Sequence, residues 1–290
     1  MSRPISEPVQ VEYRLNQVFD FIDTNLGGDL SLDRLAEQAR FSRYHFLRLF
    51  HAWNGEAPHA YVRRRRLEAG ASQLLYSSNT ITTIANECGF DTADGFSRAF
   101  RQYFGVAPLV WRRRRLCPVA PEFEPQSEDL EPGWPVRIAH IPATRVAYIR
   151  HVGPYGASTN GLWARTAQWM QESGLQDLVR FGMGLDDPSF TPPEKCRYDI
   201  CVALPPSFVP PPPILTKTIA EGKYAILRFD GHADQSNRAW HYLLGHVVSS
   251  GKYKVAPMPA FERYDVDMPN PDERRQNCEL CLPLELQTDL

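Results

Sequence analysis

Two groups of side chains in this sequence could do chemistry. The first is Phe261-Glu262-Arg263-Tyr264. Side chains alternate along a strand, so Glu262 and Tyr264 share one face. A carboxylate beside an aromatic ring on a largely apolar sheet receives an organic cation, through charge and through the ring quadrupole. Trp163, Trp240 and Tyr148 are candidate walls for the same site. The bland alternative for Glu262 is a solvated or arginine-paired strand residue. The second group is Arg43, Tyr44, Leu47, Arg48 and His51. These face outward if Phe46, Leu49, Phe50 and Trp53 form the inward side of a helix. A short, basic, aromatic helix face suits a DNA major groove, where a guanidinium reaches a base edge and its neighbours touch a thymine methyl or a phosphate. The same face also suits the solvated side of an ordinary helical bundle.

That second group occurs twice. At an offset of 50, Phe46/Phe96, Arg48/Arg98, Phe50/Phe100, Gly55/Gly105, Ala57/Ala107 and Pro58/Pro108 are identical, and Trp53/Tyr103 and Tyr61/Trp111 stay aromatic. One helical unit with one set of packing demands is used twice. In the second copy Phe96, Phe100 and Tyr103 are expected inside, leaving Ala93, Asp94, Ser97, Arg98 and Arg101 outside. The elements that must hold these faces follow from the same periodicity. Val9 to Asn25 reads as a helix closed by Gly27-Gly28, and Ser31 and Ser42 read as caps of the next two helices. Ala60 to Leu75 reads as a long connector, stiff enough to hold two reading helices near one DNA turn apart, ~34 Å. Of the arginine runs, Arg63 to Arg66 covers every side of that connector, and Arg112 to Arg115 follows the last aromatic. Together they are expected to supply salt-dependent attraction to phosphate.

Charge is divided along the chain. Through Arg115 there are 16 basic residues against 12 acidic, a net of +4, whereas the remainder holds 16 against 22, a net of −6. A basic front and an acidic back within 290 residues suggest two domains with different partners. Residues 116–135, rich in proline and acid, read as a linker between an all-α domain over 1–115 and an α+β domain over 136–290. The second half is duplicated too. Arg145 to Arg150 with Gly153 matches Lys223 to Arg228 with Gly231 at offset 78, and Trp163 matches Trp240 at offset 77. Each copy reads as a strand, a helix and further strands. Two pseudo-symmetric strand-helix-strand-strand units facing each other would leave a groove at their twofold axis.

Other chemistry finds little support. No Ser/His/Asp or metal-ligand spacing occurs, and His241 and His246, five apart, diverge around a helix. Cys278 and Cys281 form the one close cysteine pair, in a segment whose alternating leucines put them on opposite faces. No metal, no cofactor and no enzyme activity are expected. No stretch approaches the ~20 apolar residues of a membrane span, and a cytoplasmic location with free thiols is expected.

Leu35-Ala36, Phe41-Ser42, Phe46, Arg48, Phe50, Gly55, Pro58 and Tyr61, followed by Ile84-Ala85, Gly89-Phe90, Phe96, Arg98, Phe100, Gly105, Pro108 and Trp111-Arg112, resemble the DNA-binding domain of AraC/XylS transcription regulators. The resemblance implies two helix-turn-helix units whose second helices contact bases, through Tyr44, Leu47 and Arg48 and through Ala93, Asp94 and Arg98. Leu47 cannot hydrogen-bond a base, and Asp94 accepts only from a donor such as cytosine N4, so the second helix is expected mainly to position the domain. Pro193 with Lys195 to Asp199, Glu221 to Ala225, and Pro259 to Tyr264 resemble the GyrI-like small-molecule-binding domain. That resemblance implies a cleft for lipophilic or cationic compounds with a carboxylate at Glu262. The implied protein is a transcription regulator with double-stranded DNA, RNA polymerase and a small effector as partners. The alternative is a hydrolase or a sequestration protein acting on a toxic compound. Pro205 to Pro213 is expected to be an extended loop.

Overall fold

The computed structural model describes residues 7–113, 134–232, 235–266 and 275–286. The expected linker, apart from Trp134 and Pro135, lies outside these residues, as do Arg114 and Arg115. The chain divides into two compact units, one helical and one built on a sheet.

The helical unit runs α1 (Glu7–Thr24), α2 (Leu32–Gln38), α3 (Arg43–Asn54), α4 (Pro58–Tyr76), α5 (Ile81–Glu87), α6 (Ala93–Phe104) and α7 (Pro108–Arg113). Four starts use the same device. The side chains of Ser31, Ser42, Thr80 and Thr92 each accept the backbone N–H three residues on. Gly55 and Gly105 end α3 and α6 with φ of 72° and 75°, a left-handed turn that glycine adopts without strain. Phe19, Phe46, Phe50 and Tyr61 fill the first core, and Phe96, Phe100 and Trp111 repeat it. Tyr61 meets Phe50 edge-on at 5.5 Å, and Trp111 meets Phe100 edge-on at 5.7 Å. These rings close the seats that the sequence reading gave to Trp53 and Tyr103, which instead remain 47% and 40% exposed.

A second correction concerns the connector. Arg64 and Arg65 are buried. Arg64 bonds Glu56 at 2.6 Å and Glu68 at 3.1 Å, and Arg65 bonds Glu68 at 2.9 Å and Asp23 at 3.1 Å. Arg66 donates to the backbone carbonyls of Leu26 and Gly89. Only Arg63 of the run is exposed. Most of this run holds the helices together and is not displayed to a partner, because a helix with buried sides can carry charge there only if it is paired.

The sheet unit is formed by β1 (Val136–Ile141), β2 (Thr144–Val152), β3 (Arg180–Gly184), β4 (Arg197–Ala203), β5 (Leu215–Ile219), β6 (Gly222–Gly231), β7 (Tyr253–Val255), β8 (Phe261–Tyr264) and β9 (Gln276–Leu286). Helices α8 (Asn160–Glu172) and α9 (Ser236–Ser250) complete it. The strand order is β1-β6-β9-β8-β3-β4-β2-β5, with β7 paired to β9, and every pair given a register is antiparallel. Leu162 and Trp163 of α8 and Leu243 of α9 pack with Ile200, Leu227 and Leu280 of the sheet. The sheet curls so that its other face is buried too, with Phe181, Phe261 and Tyr224 in contact at 5.5 and 5.2 Å. On that face Asp199, wholly buried, receives Arg150 at 2.7 Å and Lys217 at 2.6 Å. Burial opposes its ionisation, but the two cations outweigh it and hold its pKa at about 2.

The strands expected around Arg197, Lys217, Phe261 and Cys278 are present. Cys278 faces the helices with Leu280, Leu282 and Leu284, which puts Cys281 on the opposite face. The sequence reading names no strand at β3, whose Arg-Phe-Gly-Met-Gly carries two glycines and little strand propensity. It is nonetheless central, pairing β4 on one side and β8 on the other.

Candidate functional site

Glu262 sits on β8, half-buried, directly across from Gly182 of β3. Tyr198 leans from β4 and donates its hydroxyl to Glu262 Oε2 at 2.7 Å. Tyr264, two residues along β8, donates to the same oxygen at 3.0 Å. Gln276 of β9 donates to the Tyr264 hydroxyl at 3.0 Å and also bonds Glu262, as does the Trp240 side chain of α9. Trp163 of α8 packs edge-on against Tyr264 with ring centroids 5.0 Å apart. Two strands, two helices and the neighbouring strand β9 therefore converge on one carboxylate.

All of these partners are neutral donors. Among the described residues no cation bonds Glu262, so its charge is solvated by dipoles and balanced by nothing. Burial raises its pKa above the ordinary carboxylate value, although the four hydrogen bonds pull the other way. The tyrosines respond in kind. Burial, reinforced by the adjacent Glu262, pushes both Tyr198 and Tyr264 well above the usual phenol range and keeps them protonated as donors. Cys278 lies in the same field, and burial and Glu262 hold its thiol protonated, which removes it as a nucleophile.

Gly182 makes the close approach possible. A Cβ built there would collide with the Tyr198 hydroxyl and lie 2.7 Å from Glu262 Oε2. The strand that sequence reading passed over is thus the floor of the site.

Of the expected ligand residues, Trp163, Trp240, Glu262 and Tyr264 come together. Tyr148 does not. It pairs with Cys201 while its neighbour Ile149 pairs with Ile200, so alternation turns it to the opposite face. There it is 2% exposed, with Lys217 4.7 Å and Arg150 5.2 Å from its ring centre. Sequence reasoning missed Tyr198, Gln276 and Gly182. Tyr198 was visible as an aromatic on an apolar strand, but its reach to β8 depends on a strand order that no local pattern carries.

In the helical unit Arg43, Tyr44, Leu47, Arg48 and His51 are all exposed along α3, Tyr44 at 77%. Arg43 also bridges to Asp33 of α2 at 2.9 Å, an exposed pair of little energetic weight. On α6, Asp94, Arg98 and Arg101 are exposed, while Ala93 and Ser97 are half-buried. Among the described residues none pairs with Arg48, Arg98 or Arg101. Their guanidiniums stand solvated on the two equivalent helix faces.

Residues 135–285 match the family model of the GyrI-like small molecule binding domain, and residues 35–114 match a helix-turn-helix domain. The SPbeta prophage-derived regulator YosT of Bacillus subtilis is 30% identical over 152 residues, 52% of this chain and 99% of YosT. The multiple antibiotic resistance protein MarA of Escherichia coli K12 is 31% identical over 102 residues, 35% of this chain and 80% of MarA. The transposon Tn10 TetD protein of Escherichia coli is 35% identical over 102 residues, 35% of this chain and 74% of TetD.

Proposed function

The chain belongs to the GyrI-like small-molecule-binding domain family and carries an AraC-type helix-turn-helix domain, and from that premise we propose a transcription regulator whose DNA-bound activity responds to a lipophilic cation held at Glu262. Residues 1–115 would read DNA, 116–135 would link, and 136–290 would hold the effector. The observation that carries the ligand class is the carboxylate surrounded only by neutral donors, with Trp163, Trp240 and the two tyrosines as aromatic surface. A cation entering there gains a full charge partner and ring faces at once.

The strand order supports a pseudo-twofold reading. β1-β6-β9-β8 and β3-β4-β2-β5 run as mirror images in copy order, and their seam is the β3–β8 pair that bears Gly182 and Glu262. A ligand site at such a seam draws walls from both copies, as the two helix tryptophans do. The DNA-reading residues would be Arg43, Tyr44, Leu47, Arg48 and His51, with Ala93, Asp94, Ser97, Arg98 and Arg101 on the second helix. RNA polymerase is the partner through which a bound state would be read out.

The test titrates the full chain with a lipophilic quaternary ammonium ion and, in parallel, with an uncharged alcohol of the same tail. We expect the cation to bind more tightly, Glu262→Gln to cost it ~1.5 kcal/mol or more, and the alcohol to be indifferent to that change. Equal binding of both probes to wild type and variant would end the cation assignment. The same probe added to a duplex-binding assay should alter affinity or transcript yield from a bound promoter. No change in either would leave a binding protein without a regulatory output.

A further inference from the structure

Arg66, on α4, ties the two repeats of the helical unit together. Its Nε donates to the Leu26 carbonyl at 2.9 Å and its Nη2 to the Gly28 carbonyl at 2.9 Å. Its Nη1 donates to the Gly89 carbonyl at 3.0 Å. Leu26 and Gly28 lie in the turn between α1 and α2, which feeds the first repeat. Gly89 lies in the turn between α5 and α6, inside the second, and has a φ of 71°. One guanidinium therefore bonds a turn of each repeat from the helix that connects them.

The two turns also touch directly. A Cβ at Gly27 would lie 2.9 Å from the Glu87 carbonyl oxygen. A Cβ at Gly89 would lie 2.5 Å from the Leu26 carbonyl oxygen and 2.6 Å from the Arg66 guanidinium. Backbone meets backbone at this junction because glycine stands on both sides. The carbonyls gathered there come from turns at helix ends, where oxygens lack helical partners and a positive charge is favoured. Arginine has a planar fork with five donors and can satisfy three carbonyls at once; an ammonium on a flexible stem cannot hold that geometry. Burial lowers the Arg66 pKa, yet an arginine still remains charged.

A long connector alone leaves two reading helices free to twist about its axis. With the junction in place, the turn that leads into α6 is fixed to the turn that precedes α2, and α3 and α6 are held as one body. We infer that Arg66 is a positioning residue that sets the spacing at which α3 and α6 engage a duplex. The inference rests on the DNA-reading assignment above. Two recognition elements reinforce each other only when their geometry allows both to bind, so a rigid junction converts spacing into specificity.

The experiment uses the full chain and duplexes selected from a random-sequence pool by the wild-type protein. These are compared with versions carrying one extra or one fewer base pair between the two recognised elements, and with versions having one element scrambled. Wild type should lose about ten- to a hundredfold in affinity on altered spacing. Arg66→Ala should hold its affinity for the scrambled, one-element duplexes within about twofold and lose most of the spacing penalty, with Arg66→Lys between the two. If Arg66→Ala does not fold, Gly27→Ala keeps Arg66 but wedges the turns apart, and the same split is expected. An unchanged spacing penalty in the variants would overturn the positioning role, and so would an equal loss on one-element and two-element duplexes. A wild-type chain with no spacing preference would remove two-helix reading itself, which separates that failure from failure of the junction.

Discussion

Glu262 is a carboxyl group held by neutral donors with most of its hydration lost, and burial raises its pKa against the pull of those hydrogen bonds. Its raised pKa has a definite sign in linkage: the proton stabilises the fold at low pH, and that contribution is lost as pH rises through the raised value. Glu262→Gln should therefore raise the urea midpoint at neutral pH while weakening cation binding, a pairing that a merely structural carboxylate would not give. A proton and a cation also compete for the same oxygen. Cation affinity should fall as pH is lowered through the Glu262 pKa, and binding should release a proton, measured by calorimetry in buffers of different ionisation enthalpy; Glu262→Gln should show neither effect. Asp199 has the opposite sign. Its pKa of about 2 lies below the ~3.9 of a free aspartate, so the stability it contributes is present above that value and is lost as pH falls towards 2. Asp199→Asn leaves Arg150 and Lys217 buried beside a neutral amide and should cost ~3–5 kcal/mol in urea unfolding. Glu262 with Tyr264 was legible because two residues on one strand share a face by rule. Tyr198, Gln276 and the exclusion of Tyr148 were not, because each depends on which strands are neighbours.

At the scale of elements, α4 was legible as a helix, and its arginines were misjudged. Periodicity shows that four consecutive residues face four ways; it does not show that Glu56, Glu68 and Asp23 wait on the inward sides. Removing the shared carboxylate tests this. Glu68→Ala should cost ~3 kcal/mol, whereas Arg63→Ala, on the exposed side, should stay within ~0.5 kcal/mol by the same urea titration. Similar small effects for both would return the whole run to the surface. β3 illustrates the converse difficulty. Its glycines argue locally against a strand, and the crowding of Tyr198 and Glu262 explains the one at Gly182. Gly182→Ala should cost ~1–3 kcal/mol by forcing Tyr198 aside and should break its hydrogen bond to Glu262.

For the whole molecule, the 16 basic residues through Arg115 overstate the number of cations offered to DNA. Arg64 and Arg65 are neutralised internally and Arg66 is spent on carbonyls, which leaves Arg48, Arg98, Arg101 and Arg113 among the exposed cations. The two-part organisation was legible from the repeats at offsets 50 and 78 and from the charge division. Which charges act outward was not, since that requires the buried partners. Salt titration separates the classes. Each arginine that touches a phosphate should contribute ~0.9 to the slope of log affinity against log salt, so Arg101→Ala should lower the slope while Arg64→Ala should change stability and leave the slope alone. Arg48 and Arg98 occupy equivalent positions on α3 and α6 but have different neighbours. Tyr44 and Leu47 surround Arg48 with apolar surface suited to a base edge, whereas Ala93 and Asp94 give Arg98 little to read beside it. Arg48→Ala should therefore cost ~1–3 kcal/mol and relax specificity at one base pair, while Arg98→Ala should relax specificity less and weaken duplexes more evenly. The measurement is a binding survey over single-base variants of the selected duplex, and a uniform loss from Arg48→Ala would end its base-reading role.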